Sequence, residues 1–346
     1  MEHDMLIVLG VMTIFCSWLD IFNISLFFRK VVLCSLMFFA LYAGCSNFPI
    51  SADFVNYDVL YFSRAPNQFI FSDFEAGILD YGFWLLWQEI KILGGDIYTA
   101  YFITCTVSLL FYYVSISRYT SYILTAWSFI YIRLFCSSNI VQIRQGLAMA
   151  IILFALQYIE KKCFWKFLLV VVIAASFHKT VLVVVFLYPL ALIRWDKFRF
   201  ICAVMIMTLL GNIGISNIIF EGVVITGIGA EKMYSYADSI FFSESAISAI
   251  LVQGLFIILC ACYLIKMRSE KYTNLLVSML AGGYFFLMLS KDISIMSRMT
   301  SIFMLCVNFI PMYLFCMCRS ISHKIFVMMS ISLLLSFLLI KNVVIN

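Results

Sequence analysis

Twelve long apolar runs decide in which solvent this chain can fold. They lie at about 5–28, 31–48, 97–116, 120–136, 143–160, 163–177, 180–194, 199–220, 247–265, 273–289, 298–317 and 325–340, with short polar breaks between most of them. A hydrocarbon core about 30 Å thick takes roughly 20 apolar residues per helix, and inside it every backbone polar group must be satisfied within the protein. The chain has 346 residues, 64% of them hydrophobic and 12% charged. It is therefore expected to be an all-α polytopic integral membrane protein, with one transmembrane domain over 1–346 and a bundle of about 11–12 helices. The 180–194 run is short for a crossing. The first run follows Glu2, His3 and Asp4 with neither a basic segment nor a small-residue cleavage site, so it reads as a retained helix and not a signal peptide.

Threading the runs alternately puts 14 of the 23 cationic residues on one side, among them Arg29, Lys30, Lys161, Lys162, Arg194 and Lys197. The positive-inside bias makes that side the cytoplasm. The long segments 49–96 and 221–246 then face outward as periplasmic loops, and loops on a rigid scaffold are where function concentrates. Within the first loop, YGFWLLWQEIKIL (81–93) is too short to span and carries Trp84, Trp87, Glu89 and Lys91, the pattern of an interfacial amphipathic helix.

The net charge of +5 is dispersed between apolar runs, which argues against nucleic acid as a partner. The cysteines fall mostly in or beside apolar runs, where they act as small hydrophobes. Cys260/Cys262 and Cys316/Cys318 show no histidine pattern nearby, so no metal site is expected. No DxD, GxSxG or P-loop motif supports nucleotide-sugar transfer, serine hydrolysis or ATP hydrolysis.

Ionisable side chains at bilayer depth cost at least about 2.5 kcal/mol on insertion scales and are functional candidates by default. Arg144 opens the helix IRQGLAMAIILFALQYIEKK beside Gln145 and ahead of small residues that allow close packing. Its guanidinium suits a pyrophosphate or sugar acid. His178, followed by Lys179, ends FWKFLLVVVIAASFH at the outer boundary and could take a proton near neutral pH, though a helix-end histidine can equally cap. Arg298 starts another outward-facing helix after Lys291 and Asp292. The first loop adds Asp53, Asp58, Asp73, Glu75 and Asp80, interleaved with Tyr57 and Tyr61, and one of these carboxylates could act as a general base. Arg133 and Asp20 lie deeper in their runs and are expected to pair with other helices.

The segments SSNIVQIRQGLAMAIILFALQYIEKK and IAASFHKTVLVVVFLYPL resemble the central signature of the EpsG-like proteins, which belong with Wzy-type polymerases. ADFVNY resembles the Asp-x-x-x-Tyr loop of that family, DYGFWLLWQEIKILGGD its amphipathic helix, and SIMSRMTSIF its late Gly-Arg helix start. The resemblance covers about residues 50–310. It departs at NFPISADF, which lacks the usual arginine and glycine, at Asp80, where glutamate is usual, and at Ser297 ahead of Arg298, where glycine is usual.

The resemblance implies an O-antigen or related surface-polysaccharide polymerase. Such an enzyme joins undecaprenyl-pyrophosphate-linked oligosaccharide repeat units at the periplasmic face of the bacterial inner membrane. Donor and acceptor would both be lipid-linked, and membrane lipid and a chain-length regulator protein would be its other partners. Arg144 and Arg298 would neutralise the leaving pyrophosphate, so that neither a metal nor another cofactor is needed. His178 or Asp53 would accept the proton or orient the acceptor sugar. Gln145, Lys179, Tyr57, Glu75, Asp80 and Lys291 would contact substrate. A flippase or exporter of the same lipid-linked oligosaccharide, or a membrane acyltransferase modifying the polysaccharide, would share many of these features.

Overall fold

The structure is a computed structural model, and it describes residues 4–22, 24–51, 53–63, 80–213, 244–267, 272–289, 295–316, 318 and 320–344. No strand occurs among the described residues. The helices are α1 (Asp4–Ser17), α2 (Leu26–Asn47), α3 (Phe54–Tyr57), α4 (Tyr81–Ile92), α5 (Ile97–Tyr119), α6 (Ile123–Ile130), α7 (Ile143–Glu160) and α8 (Phe164–Phe177), followed by α9 (Leu187–Leu192), α10 (Lys197–Asn212), α11 (Glu244–Lys266), α12 (Thr273–Leu289), α13 (Ile295–Phe303), α14 (Ile310–Cys316) and α15 (Ile321–Leu339). Wide π-helical turns continue α3 over Asp58–Ser63 and α6 over Tyr131–Asn139.

Among the described residues, five helical stretches are long and apolar enough to cross a membrane: Leu26–Ile50, Ile97–Tyr119, Ile143–Glu160, Arg298–Cys316 and Ile321–Val343. Shorter apolar helices occupy Phe164–Phe177, Lys179–Leu192, Ile250–Lys266 and Thr273–Leu289. The chain is thus an all-α, multi-pass membrane protein. The short 180–194 run forms a tight 3-10 helix, Lys179–Phe186, before α9.

One boundary differs from expectation. The 5–28 run breaks after Ser17, and Asp20 is the physical reason. Its side chain is fully buried and pairs with Arg29 at 3.2 Å. Its second oxygen accepts the backbone N–H of Thr125 at 2.7 Å and the Thr125 hydroxyl at 2.9 Å. A buried carboxylate needs such partners, and meeting them turns the chain before Ser25 caps α2 through the Phe28 N–H at 3.3 Å. Arg29, expected in a loop, stands in the first turn of α2 and also donates to the Ser121 carbonyl at 2.9 Å. Asp20 therefore has the cross-helix partner expected of it. All twelve cysteines are free.

The described chain divides into two compact units. The first comprises Met1–Leu156, Leu169–Lys179 and Pro311–Asn346, and the second Gln157–Leu168 and Thr180–Ile310. In the first, Trp127, Tyr131 and Phe135 form a buried aromatic column. Gly10 brings α1 close against Leu339 of α15. In the second, α12 is buried nearly all round, as expected of a helix that is apolar on every face. The Trp195 indole donates to Ser278 of α12 at 2.9 Å, and Tyr284 shares a 2.8 Å hydrogen bond with Thr208 of α10.

Candidate functional site: a shared carboxylate between Arg144 and His178

The candidate site lies within the first unit, where α4, α7 and the C-terminus of α8 converge on one side chain, Asp80. Arg144 donates from Nη1 to Asp80 Oδ2 at 2.6 Å. The imidazole Nδ1 of His178 lies 3.7 Å from the same oxygen, an ion-pair distance beyond hydrogen-bond reach. The backbone N–H of Lys179 donates to Asp80 Oδ1 at 3.3 Å. Three segments far apart in sequence thus share one buried carboxylate, which is 5% exposed.

Local sequence explains the convergence. Asp80 precedes α4 in extended conformation, where an aspartate normally caps the helix N-terminus, yet its side chain makes no capping bond and turns to the arginine instead. Gly82, two residues on, lies so close to α8 that a Cβ there would collide with the Ser176 hydroxyl and come within 3.1 Å of the Ser176 backbone. Gly82→Ala is therefore expected to push α4 from α8 and separate Asp80 from His178. Overpacking of this kind costs about 1–3 kcal/mol, which a lowered unfolding temperature of the detergent-purified protein would report.

Arg144 sits in the first turn of α7, where a cation opposes the helix dipole. Its surroundings compensate. A second Nη1 hydrogen bond goes to the Tyr61 hydroxyl, and the guanidinium lies over two phenol rings, 4.9 Å from the centroid of Tyr61 and 5.8 Å from that of Tyr57. Such cation–π contacts strengthen when desolvated. Behind this cradle Tyr57 stacks among Phe48, Phe83 and Trp87. Lys91 of α4 ties the end of the first π-turn by donating to the Phe62 carbonyl at 3.0 Å.

The second π-turn fixes α7 from the other side. Gly146 packs so that a Cβ would lie 2.8 Å from the Ser138 carbonyl and 2.9 Å from the Asn139 amide. Tyr112 bridges Asn139 at 3.0 Å and the Gly146 carbonyl at 3.3 Å. The first wide turn thus carries Tyr61 to the arginine and the second packs against Gly146 two residues on from it, in keeping with the frequent placement of π-bulges at functional sites.

Asp80 lies outside the helical spans. Burial raises its carboxyl, but the contact with His178, the Arg144 guanidinium and the Lys179 N–H outweigh that and hold it below the usual carboxylate range. Tyr61 is pushed up to about 12, chiefly by burial and against the pull of Arg144, so its hydroxyl stays protonated. Arg144 itself is 30% exposed at its side chain, and its Nε has no hydrogen-bond partner among the described residues. A guanidinium has five N–H donors; Tyr61 and Asp80 engage Nη1 alone. Neither His178 ring nitrogen makes a hydrogen bond there.

The expected site residues divide accordingly. Arg144, His178, Asp80, Tyr57 and the backbone of Lys179 come together, while the Lys179 side chain is exposed. Gln145, the neighbour of Arg144, is buried. Asp53 caps no backbone and accepts from Asn56 at 3.3 Å. Arg298 is exposed on α13 in the second unit. Glu75, Asp73, Lys291 and Asp292 lie outside the described residues, as does most of the 221–246 loop. The helix expected over 81–93 is α4. Its tryptophans face protein, with Trp84 2% and Trp87 0% exposed, and the Trp87 indole donates to Thr104 of α5 at 3.2 Å. Tyr61, a hydrogen-bond partner of Arg144, is not among the expected site residues; its spacing of four from Tyr57 is the one sequence signal that points to it.

A family model described as the EpsG family matches residues 29–346, spanning every residue of the Asp80 cluster. The chain belongs to the EpsG family. No curated protein and no solved structure matches it. EpsG-family membership places the protein among membrane glycosyltransferase-like enzymes of polysaccharide biosynthesis. The Arg-Gln and His-Lys segments that carried the resemblance are the two that meet at Asp80.

Proposed function

We propose that this EpsG-family protein is a surface-polysaccharide polymerase of the O-antigen type. It joins oligosaccharide repeat units carried on undecaprenyl pyrophosphate, at the periplasmic face of the inner membrane. The observation that carries the reading is the pairing of a partly exposed guanidinium with an imidazole on one carboxylate. That arrangement provides a charge stabiliser and a proton acceptor side by side.

In the reaction, a hydroxyl oxygen of the incoming lipid-linked repeat attacks the anomeric carbon of the growing chain. The bond from that carbon to the pyrophosphate oxygen breaks, and the pyrophosphate leaves with the bonding electron pair. Arg144 stabilises the charge that builds on it, an interaction stronger in the transition state than before it. His178 takes the hydroxyl proton on Nε2. Asp80 is the positioning residue: it holds the guanidinium by hydrogen bonding and faces the imidazole at ion-pair distance. The arginine supplies the electrostatic role a metal would otherwise take. Arg298 remains a candidate second cation on sequence grounds.

The reading is tested in a strain lacking the gene. Complementation with the wild-type chain is expected to turn a single-repeat surface band into a ladder on a gel. A ladder already present in the deletion strain, or lipid-linked repeats accumulating on the cytoplasmic face, would sink the polymerase reading and point to modification or transport.

A further inference from the structure

The second unit contains a cavity of about 490 Å³ at the C-terminal ends of α7 and α9, lined by Glu160, Lys162, Leu192, Arg194, Asn274 and Leu275 among others. Its size falls in the range of small-molecule sites, roughly 300–1,000 Å³. We propose that it binds a phosphoethanolamine group, that of a membrane phospholipid, with the phosphate on Lys162 and Arg194 and the ammonium on Glu160. This inference does not depend on the polymerase reading.

The turn that carries Lys162 is unusual. Helix α7 ends with the Lys162 N–H bonded to the Ile159 carbonyl at 2.9 Å and the Cys163 N–H to the Tyr158 carbonyl at 2.8 Å. That is a Schellman motif, whose left-handed residue is normally glycine. Here the position is held by Lys162 at φ 54°, a conformation that costs a residue bearing a Cβ. Strain kept where glycine would remove it points to a use for the side chain, and this side chain lines the cavity.

Arg194 is fixed with equal care. The Asn274 amide donates to the carbonyls of Ala191 and Ile193, both at 3.0 Å, and its oxygen accepts the Trp195 N–H at 3.1 Å. The Trp195 indole is anchored on Ser278. The turn presenting Arg194 is thus pinned on both sides of that residue. Nearby Arg199 is already engaged, by Asp196 at 3.3 Å and by the Arg194 carbonyl at 2.8 Å. Lys162, Arg194 and Glu160 form no ion pair among the described residues.

Charge and surroundings select the ligand class. Two cations with one carboxylate match a headgroup that carries both a phosphate and a primary ammonium; a purely anionic headgroup would leave Glu160 facing a like charge. Exposed Leu192 (60%) lines the cavity, and Trp165 and Phe198 of the same unit are each 77% exposed. Large exposed apolar and aromatic groups suit the membrane interface, and basic pockets between membrane helices are known lipid-headgroup sites.

The test uses the full chain purified in detergent, with thermal unfolding read against added phosphatidylethanolamine, phosphatidylglycerol, phosphatidylcholine and free phosphoethanolamine. Phosphatidylethanolamine is expected to raise the unfolding temperature of the wild type more than the other lipids do. Lys162→Gly, which relieves the left-handed strain and so folds at least as well, should weaken that response at least fivefold, as should Arg194→Ala. Glu160→Gln should remove the preference over phosphatidylglycerol. An equal response to free phosphoethanolamine keeps the headgroup chemistry but overturns the lipid as its source. Unaltered responses in Lys162→Gly and Arg194→Ala, or no preference among lipids, overturn the site.

Discussion

Arg144→Ala is expected to abolish the polysaccharide ladder while leaving the protein in the membrane. Removing one donor aimed at a developing oxyanion typically costs about 100- to 1,000-fold in rate, and Arg144 is the one arginine or lysine side chain described on Asp80, since Lys179 reaches it through its backbone N–H. Arg144→Lys should do nearly as badly. An ammonium keeps the charge but has a single nitrogen, so once that nitrogen serves Asp80 and Tyr61 as Nη1 does here it lacks the further planar N–H donors that a guanidinium offers a pyrophosphate. The control is the double variant Arg144→Ala with Asp80→Asn. Truncating the arginine alone strands a buried carboxylate; because the arginine side chain is 30% exposed, the stability loss is expected at only about 1–3 kcal/mol. Neutralising Asp80 as well should recover part of that stability without restoring any ladder. Recovery of the ladder in the double variant would show that Arg144 serves only to neutralise Asp80.

The same pair sets an acid limit. Asp80 has its carboxyl held below the usual range in the folded protein, against an unfolded value of about 3.9. A depressed folded value means that its contribution to stability is present above that unfolded value and is lost as pH falls through the lower folded one. Loss of function between neutrality and about pH 5 would therefore not come from protonating Asp80.

The elements legible in sequence are those whose cause is local. Apolar runs of membrane length foretold the helices, and Arg144 and His178 stood out because an ionisable group at a helix end in such surroundings is costly. What joined them was not legible. Asp80 is 64 residues from Arg144 and 98 from His178, and among five carboxylates of one loop nothing in its neighbourhood marked it as their shared partner. In the structure it stands at the position of a helix cap ahead of α4, a role its side chain does not take up. The first helix break was hidden for a similar reason. WLDIF is apolar enough to continue α1, and the turn follows from what Asp20 reaches on α6, more than 100 residues away. Long-range polar satisfaction, with no periodicity of its own, is what the sequence pattern left out.

His178→Gln and His178→Ala are expected to lose activity alike, by about 10²- to 10⁴-fold, the span attributed to a positioned general acid or base. The comparison between them carries the argument. Glutamine can still hydrogen-bond and fill the space at the end of α8, where the His178 N–H bonds back to Ala174 at 3.1 Å, but its amide cannot take a proton. If His178 were only packing or capping that helix end, Gln would retain most of the ladder and Ala would not. Equal loss in both, with membrane levels and binding of the lipid-linked repeat unchanged, assigns the proton transfer to the imidazole. Asp80→Asn separates the two roles of the carboxylate. The amide can still accept from Arg144 but brings no charge to the imidazole 3.7 Å away, so it should show an intermediate loss. A loss in Asp80→Asn as deep as in Arg144→Ala would show that the charge of the carboxylate, and not only its hydrogen bond to Arg144, is needed for the chemistry.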